Sequence, residues 1–308
     1  MALTFGEEFL TTPQSLAEGH LGDPWGEAAL DLAFPGGPYS LRGLTPAQAE
    51  RIASHFDDVL SRGPTPPAAV EVTLRRARPA AFRELRLLEY RFDLESDAET
   101  VRIAGWGFVA RLDHGAPSRV SLWIPVAEPA HLEIIVANLL RVVAANRLLA
   151  LGGALLHSAC VAWRGRAHLL LGHSGAGKST ISALAAAEGL AVLSDDVNVL
   201  ERRGESYVVS RMPFAGDFGR TPLQCPSSLP LAALARLEQG PALRLRPLPR
   251  AEAAGLFVSC APFVNSQPAC AERLLSAALA VTAAVPCRTL TFPKEGPVGP
   301  AFVEEVPE

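Results

Sequence analysis

ALLHSACVAWRGRAHLLLGHSGAGKSTISALAAAEGLAVLSDD, residues 154–196, is the stretch on which the fold turns. It opens with two apolar runs, ALLHSACVAW (154–163) and AHLLLG (167–172), joined at Arg164-Gly165-Arg166. Short apolar runs separated by a tight glycine turn predict paired strands. Gly172 to Ser179 then spells G-x-x-x-x-G-K-[ST]. The periodicity predicts a helix from Lys178 to Glu188, stopped by Gly189, and a further strand LAVLSDD over residues 190–196. Strand, glycine loop, helix, strand is the βαβ unit that a phosphate-cradling loop requires.

Each position of the loop has a chemical reason. Glycines let successive backbone N–H groups curl round an anion where a Cβ would collide or forbid the angles. The helix beginning at Lys178 aims its free amides and partial positive charge at the same anion. Gly172, His173, Ser174, Gly175, Ala176, Gly177, Lys178, Ser179 and Thr180 are therefore expected to bind a nucleotide. Lys178 reaches the β- and γ-phosphates in such loops, and the Ser179 hydroxyl ligates Mg²⁺. The cofactors expected are ATP and Mg²⁺. Of 28 Lys and Arg residues only Lys178 and Lys294 are lysine, so the loop position keeps a residue that the chain otherwise replaces by arginine.

Asp195 and Asp196 follow the apolar run 190–193. At the carboxyl end of a neighbouring parallel strand, carboxylates face the crevice where phosphates lie. One would hold the metal and the other would take the proton of an attacking hydroxyl, and either could instead cap a turn. His157 stands alone in Leu-Leu-His-Ser-Ala-Cys, where a hydrogen-bonded core histidine is the plain reading. His168, in a strand, and His173, at a variable loop position, are read as structural.

Outward from this stretch the signals weaken. AEPAHLEIIVANLLRVVAANRLLALGG, from Ala127 to Gly153, predicts a domain-joining helix ending at Gly152-Gly153. VNVLER and YVVSRM predict a hairpin, and the tail from Pro293 a loosely ordered end. Residues 1–66 are rich in Gly, Pro and acidic residues, with one helix predicted after Thr45. The PTPP run at 64–67 is a break, followed by strands AVEVTL, RELRLLEYRFDLE, TVRIAGWGFVARL and RVSLWIP. Two domains result: a β-rich N-terminal module, 1–127, and a catalytic domain, 128–308. His114, Glu7–Glu8 and Asp57–Asp58 are read as surface or turn groups.

Composition closes several routes. With 49% apolar and 19% charged residues the chain can build a core, and a net charge of −4 offers no footprint for nucleic acid or an anionic membrane. No stretch is apolar enough to predict a membrane span, and MALTFGEEFLTTPQ does not read as a signal peptide, so a cytoplasmic location is expected. Five cysteines without C-x-x-C pairs suit reduced, buried thiols.

The run from His157 through Gly172–Ser179 to Asp195-Asp196 resembles the catalytic domain of HPr kinase/phosphorylase. It is more similar still to the HPr-kinase-like serine kinases of peptide-biosynthesis clusters, including those acting on lasso-peptide precursors. The resemblance covers about residues 150–220. It implies an α/β fold, a P-loop kinase domain of the HPr kinase/phosphoenolpyruvate carboxykinase type. It further implies that His157 lies beside the γ-phosphate, that Asp195 and Asp196 divide the base and metal roles, and that Lys178 serves catalysis. The Glu-, Arg- and Gly-rich downstream signature of HPr kinase/phosphorylase does not occur. Arg211 to Arg220 instead resembles a PFxGD-type segment, in which Arg211, Asp217 and Arg220 meet phosphates or acceptor, or form a surface loop. Association into a homo-oligomer rests on the resemblance alone.

The leading expectation is an ATP- and Mg-dependent kinase acting on a serine of a peptide or small-protein acceptor. A small-molecule kinase would use the same site. A nucleotide-dependent switch with slow hydrolysis is the competitor, and no N-K-x-D motif supports it.

Overall fold

A computed structural model describes residues 21–64, 66–77, 93–105, 107–127, 129–213 and 226–303. Readings that fall on Glu7–Glu8, residues 83–92, Asp217, Arg220 and Cys225 lie outside these residues. The fold is mixed α/β with two sheets, and the chain divides into two compact units, Met1–Ala144 with Ser266–Ala269, and Ala145–Asn265 with Cys270–Glu308.

In the first unit the strands are β1 (Leu21–Pro24), β2 (Ala28–Phe34), β3 (Gly37–Leu44), β4 (Val70–Ala77), β5 (Asp93–Ser96), β6 (Thr100–Gly105), β7 (Phe108–Asp113) and β8 (Ser118–Pro125). They form one sheet in the order β2-β3-β4-β8-β7-β6-β5, with β1 also on β4. β3, β4 and β8 run parallel, and the remaining pairs are antiparallel. Helix α1 (Pro46–His55) is fixed by a capping box: Thr45 Oγ1 accepts from Gln48 N, and Gln48 Oε1 accepts from Thr45 N. The three strands before it correct the reading of residues 1–66 as a segment with one helix. Only alternate residues of β2 are buried, and Gly36 and Gly37, both at positive φ, turn it directly into β3. The run TVRIAGWGFVARL is likewise two strands, folded at Gly107 with the Phe108 ring laid over Gly105.

Helix α2 (Leu132–Ala150) runs through the division at Ala144 and stops at Gly152, whose φ is 77°. The second unit follows: β9 (Ala154–Trp163), β10 (Arg166–Leu171), α3 (Lys178–Ala187), β11 (Ala191–Ser194), β12 (Val197–Arg203), β13 (Ser206–Arg211), β14 (Ser228–Gln239), β15 (Arg244–Pro247), α4 (Arg250–Ser259), α5 (Ala271–Ala284), β16 (Cys287–Phe292) and α6 (Pro300–Val303). The sheet order is β10-β9-β12-β13-β14-β16-β15, with β11 on β9. β10 also pairs with β14, so the path β10-β9-β12-β13-β14 returns on itself.

The turn from β9 to β10 needs two positive φ values, 47° at Arg164 and 73° at Gly165. It sends β9 back antiparallel to β10, and β11 then pairs antiparallel to β9. The strand leading to Asp195 therefore runs in the direction of β10 but one place removed, with β9 between them. This corrects the expectation of a directly neighbouring strand. On its other side β10 is parallel to β14, and β14 to β16, so three strands run one way; β10 ends opposite Arg236, while β14 and β16 end opposite each other at Gln239 and Phe292.

Leu170, Leu237, Leu290 and Phe292 from this sheet bury against Ile181 and Ala185 of α3. Each large aliphatic or aromatic side chain so covered contributes about 1.5–3 kcal/mol. Val298, Ala301 and Phe302 join the same core, so residues 293–302 of the expected loose end are built into the unit. α4 and α5 pack on each other, and α4 packs on β14. Among the described residues no helix is long and apolar enough to cross a membrane.

Candidate functional site

The loop leaves β10 at Leu171 and enters α3 at Lys178. Gly175 and Gly177 stand at φ 80° and 99°, conformations that L side chains rarely adopt. At Gly177 there is also no room, since a Cβ would lie 2.7 Å from Phe292 Cζ. At Gly172 a Cβ would meet that of Ala176 at 2.6 Å. Lys178 folds back inside the loop, its Nζ donating to Gly172 O at 2.9 Å and to His173 O at 3.3 Å. Only 7% of the residue is exposed, and that burial lowers the pKa of its ammonium while Cys260 and Asp196 oppose the shift. Ser174, Ser179 and Thr180 are exposed along the rim, as is His173.

The acids are held by the turn after β11. Ser194 Oγ accepts from Asp196 N at 3.2 Å and Val197 N at 3.3 Å, and Asp196 O accepts from Ser158 N at 2.9 Å. The two carboxylates differ in exposure. Asp195 is buried, and its Oδ1 is shielded with no hydrogen-bond partner. Asp196 is partly exposed, and its Oδ1 lies 3.7 Å from His157 Nδ1. A buried carboxylate oxygen without a donor is costly, so that oxygen is poised for a cation or a donor that arrives with a ligand.

His157 is the one exposed residue in the first half of β9, and its backbone N–H donates to Cys260 O at 2.7 Å. The pKa of its imidazole is lowered, first by burial and then by the Lys178 charge, which together outweigh the raising effects of Asp196 and Asp195. At neutral pH the ring is therefore uncharged beside Asp196, and it leaves that carboxylate's negative charge uncancelled. His157, Lys178, Asp195 and Asp196 thus gather around the mouth of one loop. Arg211 ends β13, and the buried Met212 after it donates from its N–H to Val197 O at 3.3 Å.

Other residues complete the surroundings without having been legible. Asn198 Nδ2 donates to Ser158 O at 2.7 Å and Ser158 Oγ at 3.0 Å, a fully buried tie between β12 and β9 next to His157 and Asp196. Cys260, at the end of α4, reaches Gly172 O through Sγ at 4.0 Å. Gln239, at the end of β14, donates from Nε2 to Gly175 O at 3.1 Å. His168, read as structural, stacks edge-on with Phe302 at 5.5 Å.

Among the described residues no three His, Cys, Asp or Glu side chains group closely enough to hold a metal. A magnesium ion asks for less, because it keeps waters and is bound through one or two carboxylates and substrate phosphates. The buried orphan oxygen of Asp195 and the hydroxyl of Ser179 fit that role.

Residues 126–296, more than half of the chain, match the family described as SynChlorMet cassette protein ScmC. The chain belongs to the ScmC family. The ScmC region contains His157, the whole glycine loop and both aspartates, and it takes in β9 to β16. No curated protein matches the sequence. Among solved structures, "Structure of the Hpr(Ser) kinase/phosphatase from Coxiella burnetii" is similar at 11% identity and a TM-score of 0.25, over 45% of this chain and 85% of that one.

Proposed function

We propose that this ScmC-family chain is an ATP- and Mg-dependent kinase that transfers the γ-phosphoryl group to a hydroxyl, foremost a serine of a peptide or small protein. The observation that carries the reading is the pair of unequal carboxylates, one with an orphaned buried oxygen, beside a loop whose lysine is already seated. Asp196, the exposed member, is the base: it takes the acceptor's proton as the new O–P bond forms and the bond to the β-phosphate oxygen breaks, releasing ADP. Asp195 and Ser179 would hold Mg²⁺, which neutralises charge on the phosphates. Lys178 and the loop amides face the charge that grows on the transferred group. His157, uncharged, orients Asp196 without neutralising it. The serine and peptide class comes from the resemblance to HPr-kinase-like enzymes. The word cassette in the family's description favours an acceptor encoded alongside.

The test is transfer from labelled ATP with Mg²⁺ to small proteins and peptides encoded beside the gene, with the labelled atom located by mass spectrometry. Asp196→Asn is expected to slow transfer by about 10²- to 10⁴-fold with nucleotide affinity retained. Lys178→Ala is expected to lose nucleotide binding. Unchanged transfer in both Asp195→Asn and Asp196→Asn would overturn the assignment.

A further inference from the structure

The site has a direction. His157 and Asp196 lie on the β9 and β11 side of the loop, where the terminal phosphate and the acceptor belong. The phosphate chain must then run away from them along the loop, and the nucleoside must emerge on the other side of β10. That side is built by the carboxyl ends of β14 and β16, adjacent parallel strands with Gln239 opposite Phe292. Ligands of α/β sheets lie over such ends. Both residues already touch the loop: Gln239 Nε2 donates to Gly175 O, and the Phe292 ring fills the space beneath Gly177.

We infer that the nucleoside end of the nucleotide is gripped by Lys294, over the carboxyl ends of β14 and β16, an inference resting on the ATP reading above. Lys294 follows Phe292 by two residues, a step of at most about 7 Å, and adds a flexible four-carbon stem. The chain from Pro293 then runs along α3 until Glu188 at its far end accepts from Val298 N and Gly299 N. Lys294 is thereby kept near the N-terminal end of α3. It is exposed, and among the described residues it has no ion pair or hydrogen bond. Its three N–H donors suit ribose hydroxyls and base acceptors. It is also the second of two lysines in a chain that uses arginine elsewhere.

Calorimetric titration of the full chain with Mg-ATP and with Mg-tripolyphosphate separates the nucleoside from the phosphates. Lys294→Gln is expected to weaken Mg-ATP about tenfold while tripolyphosphate stays within about twofold, and Lys294→Arg to keep most of the affinity. Unchanged ATP affinity in Lys294→Gln, or equal loss of both ligands, overturns the inference. Lys178→Ala is expected to weaken both ligands. If it weakens neither, the phosphate site itself is misassigned and the inference falls with it, an outcome distinct from the first two.

Discussion

His157 shows how little geometry is needed to set a charge. Its ring stands 3.7 Å from Asp196, yet burial and Lys178 keep the pKa below the usual 6.5. Protonation is therefore deferred to more acid solution. Single-turnover transfer is expected to stay flat from pH 7 to 8 and to decline only below the ordinary imidazole range, with the decline displaced in His157→Gln. At this scale the sequence was informative where chemistry forces residue type: the glycines, Lys178, Ser179 and the acid pair. It was silent on Asn198, whose partner Ser158 is 40 residues away, and on Cys260, 88 residues from the loop carbonyl it approaches. A lone polar residue in an apolar strand carries no periodic signal, and its partner is decided only by tertiary packing.

At the scale of elements, the loop and α3 are set by two glycines with different reasons for being glycine. Gly177 and Gly189 both stand at positive φ, but only Gly177 has a neighbour, the Phe292 ring, where a Cβ would go. Gly189→Ala is expected to cost about 1–2 kcal/mol in denaturant unfolding and to leave nucleotide affinity unchanged. Gly177→Ala should cost more and abolish binding, because the loop must open to admit the methyl group. The hairpin at 154–171 was legible from two apolar runs and one glycine turn. The strands at 21–44 were not, since β1 is four residues long and β2, AALDLAF, has one polar residue and so shows no alternation, although only Leu32 and Phe34 are buried. The place of β11 was hidden for another reason: strand order is a property of pairing, and the segment 190–196 reads the same beside β9 as beside β10.

For the whole molecule, stability should carry the mark of His168. Burial is the main cause, with Arg288 and Arg166 adding to it, that pushes its pKa down to about 4. A depressed pKa means that the unfolded chain takes up a proton near pH 6.5 while the folded chain refuses it until about 4. Stability is then full above pH 6.5 and falls as pH drops toward 4, by at most about 3 kcal/mol from this group. Thermal melts across that window should show a shallower decline in His168→Leu. Mixed α/β character was readable from the succession of patterns, whereas the parallel contact of β10 with β14 joins segments about 60 residues apart and leaves no local trace. The seat of Lys178 has a last consequence, for reagents. Its Nζ is engaged by two carbonyls, while the amine of Lys294 stands in water. The whole side-chain amine chemistry of this chain reduces to two addresses of opposite accessibility. An acylating probe should mark the outer one first and the inner one only when the loop breathes, so peptide masses alone would report how often it does.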